Sequence, residues 1–182
     1  CCSKQLSETQ DVLQDSITKV QEFKVLQDNL KLALNRQEFL VHYQPQISFK
    51  SDEVVGVEAL IRWQHPEQGL IAPSQFIPIA ETSLLIIDIG KWVLFEACAQ
   101  AAKWHDQGYP ISIAVNVAAA QFTHKEFIET VKEALQHSGL KAEFLEIEVT
   151  EGVVMHDINT VAKQLQELRD LKVRIALDDF GT

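Results

Sequence analysis

The chain has 182 residues, and its apolar fraction of 46% is sufficient for one domain with a sizeable core. Its 26 Asp and Glu residues outnumber its 16 Lys and Arg residues, so the net charge is -10. This balance excludes a general DNA- or RNA-binding protein, which needs clustered Lys and Arg to neutralise phosphates. An anionic substrate would have to be met by bound cations, because these invert the local field.

The sequence contains neither a secretory signal nor the roughly 18–20 uninterrupted apolar residues of a membrane span. We therefore expect a cytoplasmic segment without membrane contact. The cytoplasmic part of a membrane-anchored protein also fits this pattern. The cysteines Cys1, Cys2 and Cys98 have neither metal-ligand nor disulfide spacing, which indicates reduced thiols. Because the chain begins with Cys1 rather than Met, we expect a fragment of a longer protein.

Residues 1–37 are predicted to form a helical linker or the end of an upstream domain, ahead of a domain at residues 38–182. Apolar residues recur there at steps of three and four, and no Gly or Pro interrupts them. They are Leu13, Ile17, Val20, Phe23, Leu26, Leu30 and Ala33. A helix lying on the neighbouring domain and a dimerising coil, which would make the chain a homodimer, both fit this pattern.

Five apolar, β-branched segments predict five strands. They are Phe39–Ser48, Glu53–Trp63, Ile111–Val117, Phe144–Thr150 and Val173–Leu177. Pro45 inside the first segment indicates an edge strand, a bulge or a strand end, since proline cannot donate to a sheet ladder.

Four helices are predicted between these strands. Ser74 is expected to cap a short helix through Glu81, and a long helix should run from about Ser83 to Gln107. Thr123 and Glu126 form a capping-box pattern for a third helix that ends before Gly139. Asp157 is expected to cap a fourth helix. The buried face of this helix is predicted to contain Ile158, Val161, Leu165 and Leu168.

Strands that alternate with helices predict a mostly parallel sheet covered by helices. An open doubly-wound sheet and a (β/α)8 barrel both fit, but no glycine-rich turn joins a strand to a helix, which disfavours the first. Oxygen-bearing side chains at successive strand ends favour the barrel. A complete barrel needs roughly 200–250 residues. We therefore predict an α/β fold that is a partial TIM-like barrel, with about five of eight strands present.

The strand ends carry the candidate metal ligands. They are Glu58, Asn116, Glu148 and Asp178, with Asp179 and Glu151 beside them. Carboxylate and amide oxygens are the ligands that Mg²⁺ and Mn²⁺ prefer. Two such ions about 3.5–4 Å apart can clamp a phosphodiester and activate a water. The six histidines have no ligand spacing and are predicted to lie at the surface or in loops.

Structural explanations exist for each candidate taken alone. Glu58 could be a buried carboxylate paired with Arg62, and Asn116 could be a turn former or a hydrogen-bond bridge. Glu146 and Glu148 share the same strand parity, so either could be the inward ligand. Glu151 could be a residue that supports a loop and has no other role, and the pair Asp178-Asp179 could be an ordinary turn. Their recurrence at successive strand ends favours a functional site.

Six segments resemble successive signatures of the EAL domain family, over about residues 26–182. They are Tyr43–Gln46, Glu58–Arg62, Phe76–Glu81, Ala114–Val117, Glu148–Glu151 and Asp178–Thr182. The resemblance implies a TIM-like barrel that hydrolyses cyclic di-GMP to linear pGpG with two Mg²⁺ or Mn²⁺ ions. Ca²⁺ is expected to inhibit, because its looser coordination misplaces the reacting water.

The resemblance also implies roles for individual residues. Glu58, Asn116, Glu148 and Asp178 match the family's metal ligands, and Asp179 matches the residue associated with the second metal. Glu151 matches a glutamate that supports the loop near the metal. Gln44, Leu60 and Arg62 match substrate-facing positions, where Arg62 would give a phosphate the forked donors that it favours.

The sequence departs from the family pattern at two positions and in its extent. Ala118 and Ala120 stand where the family usually has Ser and Arg, which removes a hydroxyl near a ligand. The family's sixth to eighth strands have no counterpart, so we expect the chain alone to be essentially inactive, with most of the family's catalytic rate lost. Residues 16–34 resemble a connector that follows a GGDEF domain, which predicts an upstream sensor or GGDEF domain. The alternatives are a non-catalytic module that binds cyclic di-GMP or a protein, and a hydrolase of another phosphoester.

Overall fold

The structure, a computed structural model, describes residues 18, 20, 21, 23–48, 52–150, 152, 153 and 158–178. For Thr150 and Asp178 it describes the backbone alone. Asp157, predicted as a helix cap, lies outside the described residues. No helix in the described part is long and apolar enough to cross a membrane.

Six strands form one sheet in the described part of the chain, and the five predicted strands are confirmed to within two residues at each end. They are β1 (Phe39–Ile47), β2 (Val54–His65), β3 (Gly69–Ile71), β4 (Ser112–Val117), β5 (Leu145–Thr150) and β6 (Arg174–Asp178). The short β3 was not predicted, because its three residues are too few to show an alternating pattern. It forms a hairpin with β2 through a turn in which Gly69 has a φ of 72°.

Helices follow or precede the strands as the alternating pattern predicts. The first helix, α1, includes residues 23–33. The others are α2 (Pro73–Thr82), α3 (Leu85–Asp106), α4 (Ala119–Phe122), α5 (Phe127–Ser138) and α6 (Ile158–Asp170). A 3-10 turn, Ala142–Phe144, precedes β5.

The sheet order is β1-β2-β4-β5-β6, with β3 beside β2. β2, β4, β5 and β6 run parallel, whereas β1 and β3 are antiparallel to β2. β1 has a register shift between Gln46 and Ile47, one residue beyond Pro45. The edge position and the irregularity that Pro45 predicted are both found, since β1 is the first strand in the order.

The helices cover one face of the sheet, and that face contains the core. Alternate residues of the central strands are buried there: Val57, Ala59, Ile113, Val115, Val117, Leu145, Ile147 and Val149. Aromatic rings of β1, β2 and α2 close the core at one end, where Trp63 lies 5.8 Å from Phe76 between ring centroids. The opposite face of the sheet carries the polar alternate residues. That face corresponds to the inside of a partial barrel.

Three expectations about helix ends and faces were wrong. Ala72, not Ser74, is at the N-cap of α2, because Pro73 already occupies the first turn, where its missing N–H costs nothing. Thr123 does not cap α5, which begins after Glu126 without a side-chain cap. The Thr123 hydroxyl donates instead to the Ala119 carbonyl of α4 at 2.9 Å. The predicted stop at Gly139 is confirmed, with a φ of 73°.

The buried face of α6 also differs from the predicted one. Ile158 is 67% exposed, whereas Val161 and Leu168 are buried and Leu165 is partly buried. Gln164 takes the buried position between them, and its Nε2 donates to the His124 carbonyl at 3.2 Å. The buried face of α6 therefore begins at Val161 and includes the polar Gln164, which contacts the α4–α5 connection.

Candidate active site at the strand ends

The candidate ligands lie on the uncovered face of the sheet. Side chains of a strand alternate between its faces, and paired residues on adjacent strands share a face. Glu58 pairs with Gln44 on one side and with Ala114 on the other. Asn116 is two residues beyond Ala114 and pairs with Glu148. Gln44, Glu58, Asn116 and Glu148 therefore project from the same face.

Glu58 and Asn116 are in direct contact. The Asn116 amide donates from Nδ2 to Glu58 Oε1 at 2.6 Å. Glu58 is half-buried and Asn116 is exposed. The second carboxylate oxygen of Glu58 and the amide oxygen of Asn116 therefore face the open side of the sheet. The alternative in which Glu58 pairs with Arg62 is not found: among the described residues, Arg62 is in no ion pair, and its guanidinium donates to the Ile61 carbonyl at 2.8 Å.

The register separates the two glutamates of β5. Glu146 pairs with Arg174, and their side chains form an ion pair at 3.4 Å. Glu148 is one step closer to the strand end, beside Asn116. Glu146 is therefore paired with the Arg174 guanidinium. Glu148 is the glutamate next to the Glu58–Asn116 pair.

The remaining candidates are only partly described. The Asp178 backbone ends β6 and pairs with Thr150, which places Asp178 at the same edge of the sheet as the end of β5. Asp179 and Glu151 lie outside the described residues. Their roles stay predictions.

The described donors fit a hard divalent cation in type, although they do not form a complete cage. Within the described ranges, no group of three or more His, Cys, Asp or Glu side chains is placed to hold a metal ion. What the strands do bring together is a carboxylate and an amide in contact, with a second carboxylate on the adjacent strand. Oxygen donors of this kind suit Mg²⁺ or Mn²⁺ rather than zinc.

The three predicted substrate-facing residues follow the same face. Gln44 is exposed and lies opposite Glu58, while Leu60 and Arg62 are two and four residues beyond Glu58 on β2. Both are half-buried. These positions form a row along β1 and β2 beside the Glu58–Asn116 pair.

A cavity of about 260 Å³ opens beside this row, between the ends of β2 and β4 and helices α2, α3 and α4. Leu60 and Asn116 line its side toward the candidate ligands, and Gln121 lines it from α4. Most of the wall is apolar. The cavity was not predicted, because it arises where three helices meet the sheet and no single segment signals it. One available signal was Gly90, a glycine inside the long helix α3.

His65 is the second feature that the sequence analysis missed. It is 3% exposed, so its predicted place at the surface or in a loop is wrong. Its Nδ1 accepts hydrogen bonds from the backbone N–H groups of Glu67 and Gln68, each at 3.2 Å. Its Nε2 lies 3.0 Å from the amide of Asn29 on α1. The ring therefore joins the end of β2 to the first helix.

Comparison with known proteins gives the family context of this geometry. A family model described as "EAL domain" matches residues 27–182. The chain is 46% identical over 153 residues to "Signaling protein YkoW" of Bacillus subtilis, covering 84% of this chain and 19% of that protein. It is 44% identical over 163 residues to the bifunctional diguanylate cyclase/cyclic di-GMP phosphodiesterase MucR of Pseudomonas aeruginosa, covering 89% of this chain and 24% of that protein.

Solved structures agree with these sequence matches. A structure titled "PaMucR Phosphodiesterase, c-di-GMP complex" matches with a TM-score of 0.83 and 44% identity, over 86% of this chain and 64% of that chain. The EAL enzyme Bd1971, with cAMP and cyclic di-GMP bound, matches with a TM-score of 0.85 and 29% identity, over 90% of this chain and 46% of that one. The chain thus spans less than two thirds of each of these relatives.

Proposed function

Because this chain belongs to the EAL domain family, we propose that it forms part of the active site of a phosphodiesterase that hydrolyses cyclic di-GMP to linear pGpG. The observation that supports this most directly is the contact between Glu58 and Asn116 at 2.6 Å on the uncovered face of the sheet. Relatives named as cyclic di-GMP phosphodiesterases, among them MucR and PdeR of Escherichia coli, support the choice of substrate.

Glu58, Asn116 and Glu148 would hold a first Mg²⁺ or Mn²⁺, with Asp178 as the fourth ligand. Asp179 would serve a second ion, and Glu151 would support the neighbouring loop. When bound, such ions supply the charge that clamps a phosphodiester and the acidity that activates a water. The hydrogen bond between Asn116 and Glu58 orients both side chains before an ion binds, which reduces the cost of assembling the site.

Residues of β1 and β2 would bind the substrate next to these ligands. Arg62 can offer forked N–H donors to a phosphate, after its present hydrogen bond to the Ile61 carbonyl is released. Gln44 supplies an amide opposite Glu58. Leu60 lines the cavity of about 260 Å³, just below the roughly 300–1,000 Å³ of drug-sized pockets, so the cavity suits one base rather than a whole dinucleotide.

A non-catalytic module that binds cyclic di-GMP is the second candidate. It needs only the row of Gln44, Leu60 and Arg62 along β1 and β2, whose positions do not depend on a metal ion. The uncovered face also predicts slow chemistry in the 182-residue chain alone, because phosphoryl transfer depends on exact positioning of the reacting groups.

The test is an endpoint assay of cyclic di-GMP with Mn²⁺, in which linear pGpG is measured by mass spectrometry and binding is measured in parallel. We expect slow formation of pGpG by the wild-type chain and none by Glu58→Ala, since loss of one ligand displaces the ion. Glu143→Ala is the matched control, because Glu143 is an exposed glutamate in the turn before β5, at the end of that strand away from the candidate site. Binding without pGpG would support the second candidate, and absence of binding would contradict both.

A further inference from the structure

Gln121 is a buried polar residue whose side chain faces the cavity beside the candidate ligands. It belongs to α4 and is 4% exposed, although it is surrounded mainly by apolar walls. Its carboxamide takes no part in the side-chain hydrogen bonds found among the described residues. The carboxamide is open to the cavity rather than sealed in the core, since Gln164 Oε1 is the fully buried side-chain atom without a hydrogen-bond partner among the described residues. A polar group facing an apolar cavity normally meets a water or a ligand there.

The sequence of α3 makes room for this carboxamide. A Cβ at Gly90 would overlap the Oε1, Cδ and Nε2 atoms of Gln121 together, so the carboxamide lies flat against the helix at a residue without a side chain. Glycine inside a helix costs about 1 kcal/mol relative to alanine. α3 contains it at a buried position beside the cavity, where the space that it leaves is used by the polar end of Gln121.

The location connects Gln121 with the substrate rather than with the core alone. Asn116 and Leu60 line the same cavity, and Asn116 contacts Glu58. Ile77, Ile86 and Ile89 supply apolar walls against which a flat ring can pack. A planar group that enters past Leu60 would therefore meet an apolar surface on its faces and a carboxamide at its edge.

We propose that Gln121 contacts the edge of a purine base of the substrate and fixes that base in the cavity. This rests on the proposed function, because the base belongs to cyclic di-GMP. A carboxamide presents a donor and an acceptor side by side, the arrangement complementary to O6 and N1–H of guanine. Gly90 acts through Gln121, since it provides the surface on which the carboxamide is placed.

The experiment is a calorimetric titration of cyclic di-GMP into the 182-residue chain in Mg²⁺ buffer. Gln121→Met keeps the length of the side chain and removes both polar atoms, and it should weaken binding by about 10- to 100-fold. Gly90→Ala should weaken binding as well, because its methyl group displaces the carboxamide. Gln107→Met is the matched control at the exposed end of α3, and it should bind as the wild type does. Thermal unfolding of each variant verifies that it is folded.

A second measurement separates base contact from a purely structural role. The side-chain NH₂ signals of Gln121, assigned in ¹H–¹⁵N spectra by their absence from Gln121→Met, should shift when cyclic di-GMP is added. Unchanged affinity in a folded Gln121→Met variant would overturn this inference alone and would mean that water satisfies the carboxamide. Weaker binding without a shift would also overturn it. If the wild-type chain bound no cyclic di-GMP, the proposed function and the inference would both be overturned.

Discussion

His65 shows how much a single buried ring determines at the residue scale. Its Nδ1 accepts two backbone N–H groups, so the neutral ring must carry its proton on Nε2. Asn29 Nδ2 lies 3.0 Å from Nε2, and two N–H donors cannot bond to each other, so a hydrogen bond here requires the amide turned by 180° with its oxygen accepting from Nε2. The ring also packs edge-on against Trp63, with 5.2 Å between centroids. One tautomer of His65 thus links the turn after β2 with α1.

Cys98 gives a prediction at the same scale. Burial on α3 raises the pKa of its thiol from 9.0 to about 12, and burial with the nearby Glu96 charge raises the pKa of Tyr43 from 10.0 to about 12. Above about pH 9 the unfolded chain releases the thiol proton and the folded chain keeps it, so stability falls as pH rises. Between pH 9 and 10 the loss from Cys98 should be about 1 kcal/mol, and Tyr43 adds to the loss mainly above pH 10.

The measurement is urea unfolding at several pH values between 8 and 10, roughly the window of these shifts. In Cys98→Ala the decline between pH 9 and 10 should be smaller than in the wild-type chain. Iodoacetamide labelling followed by mass spectrometry should show Cys98 modified only after unfolding. Identical slopes for the two chains would show that the Cys98 thiol ionises alike in both states.

At the scale of elements, α1 and β2 are joined at two points. Leu30 and Ala33 of α1 are buried in the core, and Asn29 contacts His65. Beyond the helix, the Trp63 indole N–H donates to Glu38 Oε2 at 2.9 Å, and the Gln64 N–H donates to the Glu38 carbonyl at 2.7 Å. Because β2 also carries Glu58, these contacts connect the predicted linker with the strand of the candidate site.

Glu38→Ala should therefore destabilise the fold. The Trp63 residue is fully buried, and its N–H would lose its acceptor, which costs about 1–3 kcal/mol. Glu38→Gln keeps an oxygen acceptor and should recover most of the loss. Lys31→Ala, which removes an exposed ion pair with Asp28, should leave the midpoint of urea unfolding unchanged. Equal midpoints for Glu38→Ala and the wild type would contradict the importance of this contact.

β6 provides a second prediction about an element. It pairs with β5 on one side, and no strand partner lies on its other side among the described residues. Its Leu177 is 54% exposed. Such an edge is open to pairing with another chain, so we expect association that increases with concentration, measured by size-exclusion chromatography with light scattering.

Two leucine variants distinguish the possible interfaces. Leu177→Lys places a charge on the open edge and should reduce association. Leu32→Lys, at a leucine of α1 that is 43% exposed, should leave it unchanged. The opposite result would favour the dimerising coil over the strand edge. A chain that stays monomeric at all concentrations would contradict the prediction.

For the molecule as a whole, the order of strands and helices could be predicted except for the short β3 and α4, because each longer strand carries its own apolar pattern. The ligand candidates lie within these strands or at their ends, and Glu58 lies inside β2. The common face of Glu58, Asn116 and Glu148 also follows from strand parity once the register is known. His65 and Gln121 could not be predicted, since both are buried by segments distant in sequence. The caps of α2 and α5 failed because Pro73 and Thr123 have alternative local roles that the sequence pattern does not rank.

The charge of the whole molecule leads to the last prediction, which concerns removal of metal. The net charge is -10, and Glu58 and Glu148 share the uncovered face, so the two phosphates of cyclic di-GMP meet a repulsive field unless a cation is bound. Chelation with EDTA should therefore abolish binding in a calorimetric titration. Mg²⁺ or Mn²⁺ should restore binding, whereas an equal ionic strength of NaCl should not, because monovalent screening does not replace a coordinated ion.

Ca²⁺ should restore binding without formation of pGpG, since its longer and looser coordination misplaces the attacking water. Glu58→Gln keeps the size of the side chain and removes its charge, so it should bind ions more weakly than Glu143→Gln does. Undiminished affinity in EDTA would contradict the requirement for a cation and would leave Arg62 as the principal group that attracts the phosphates.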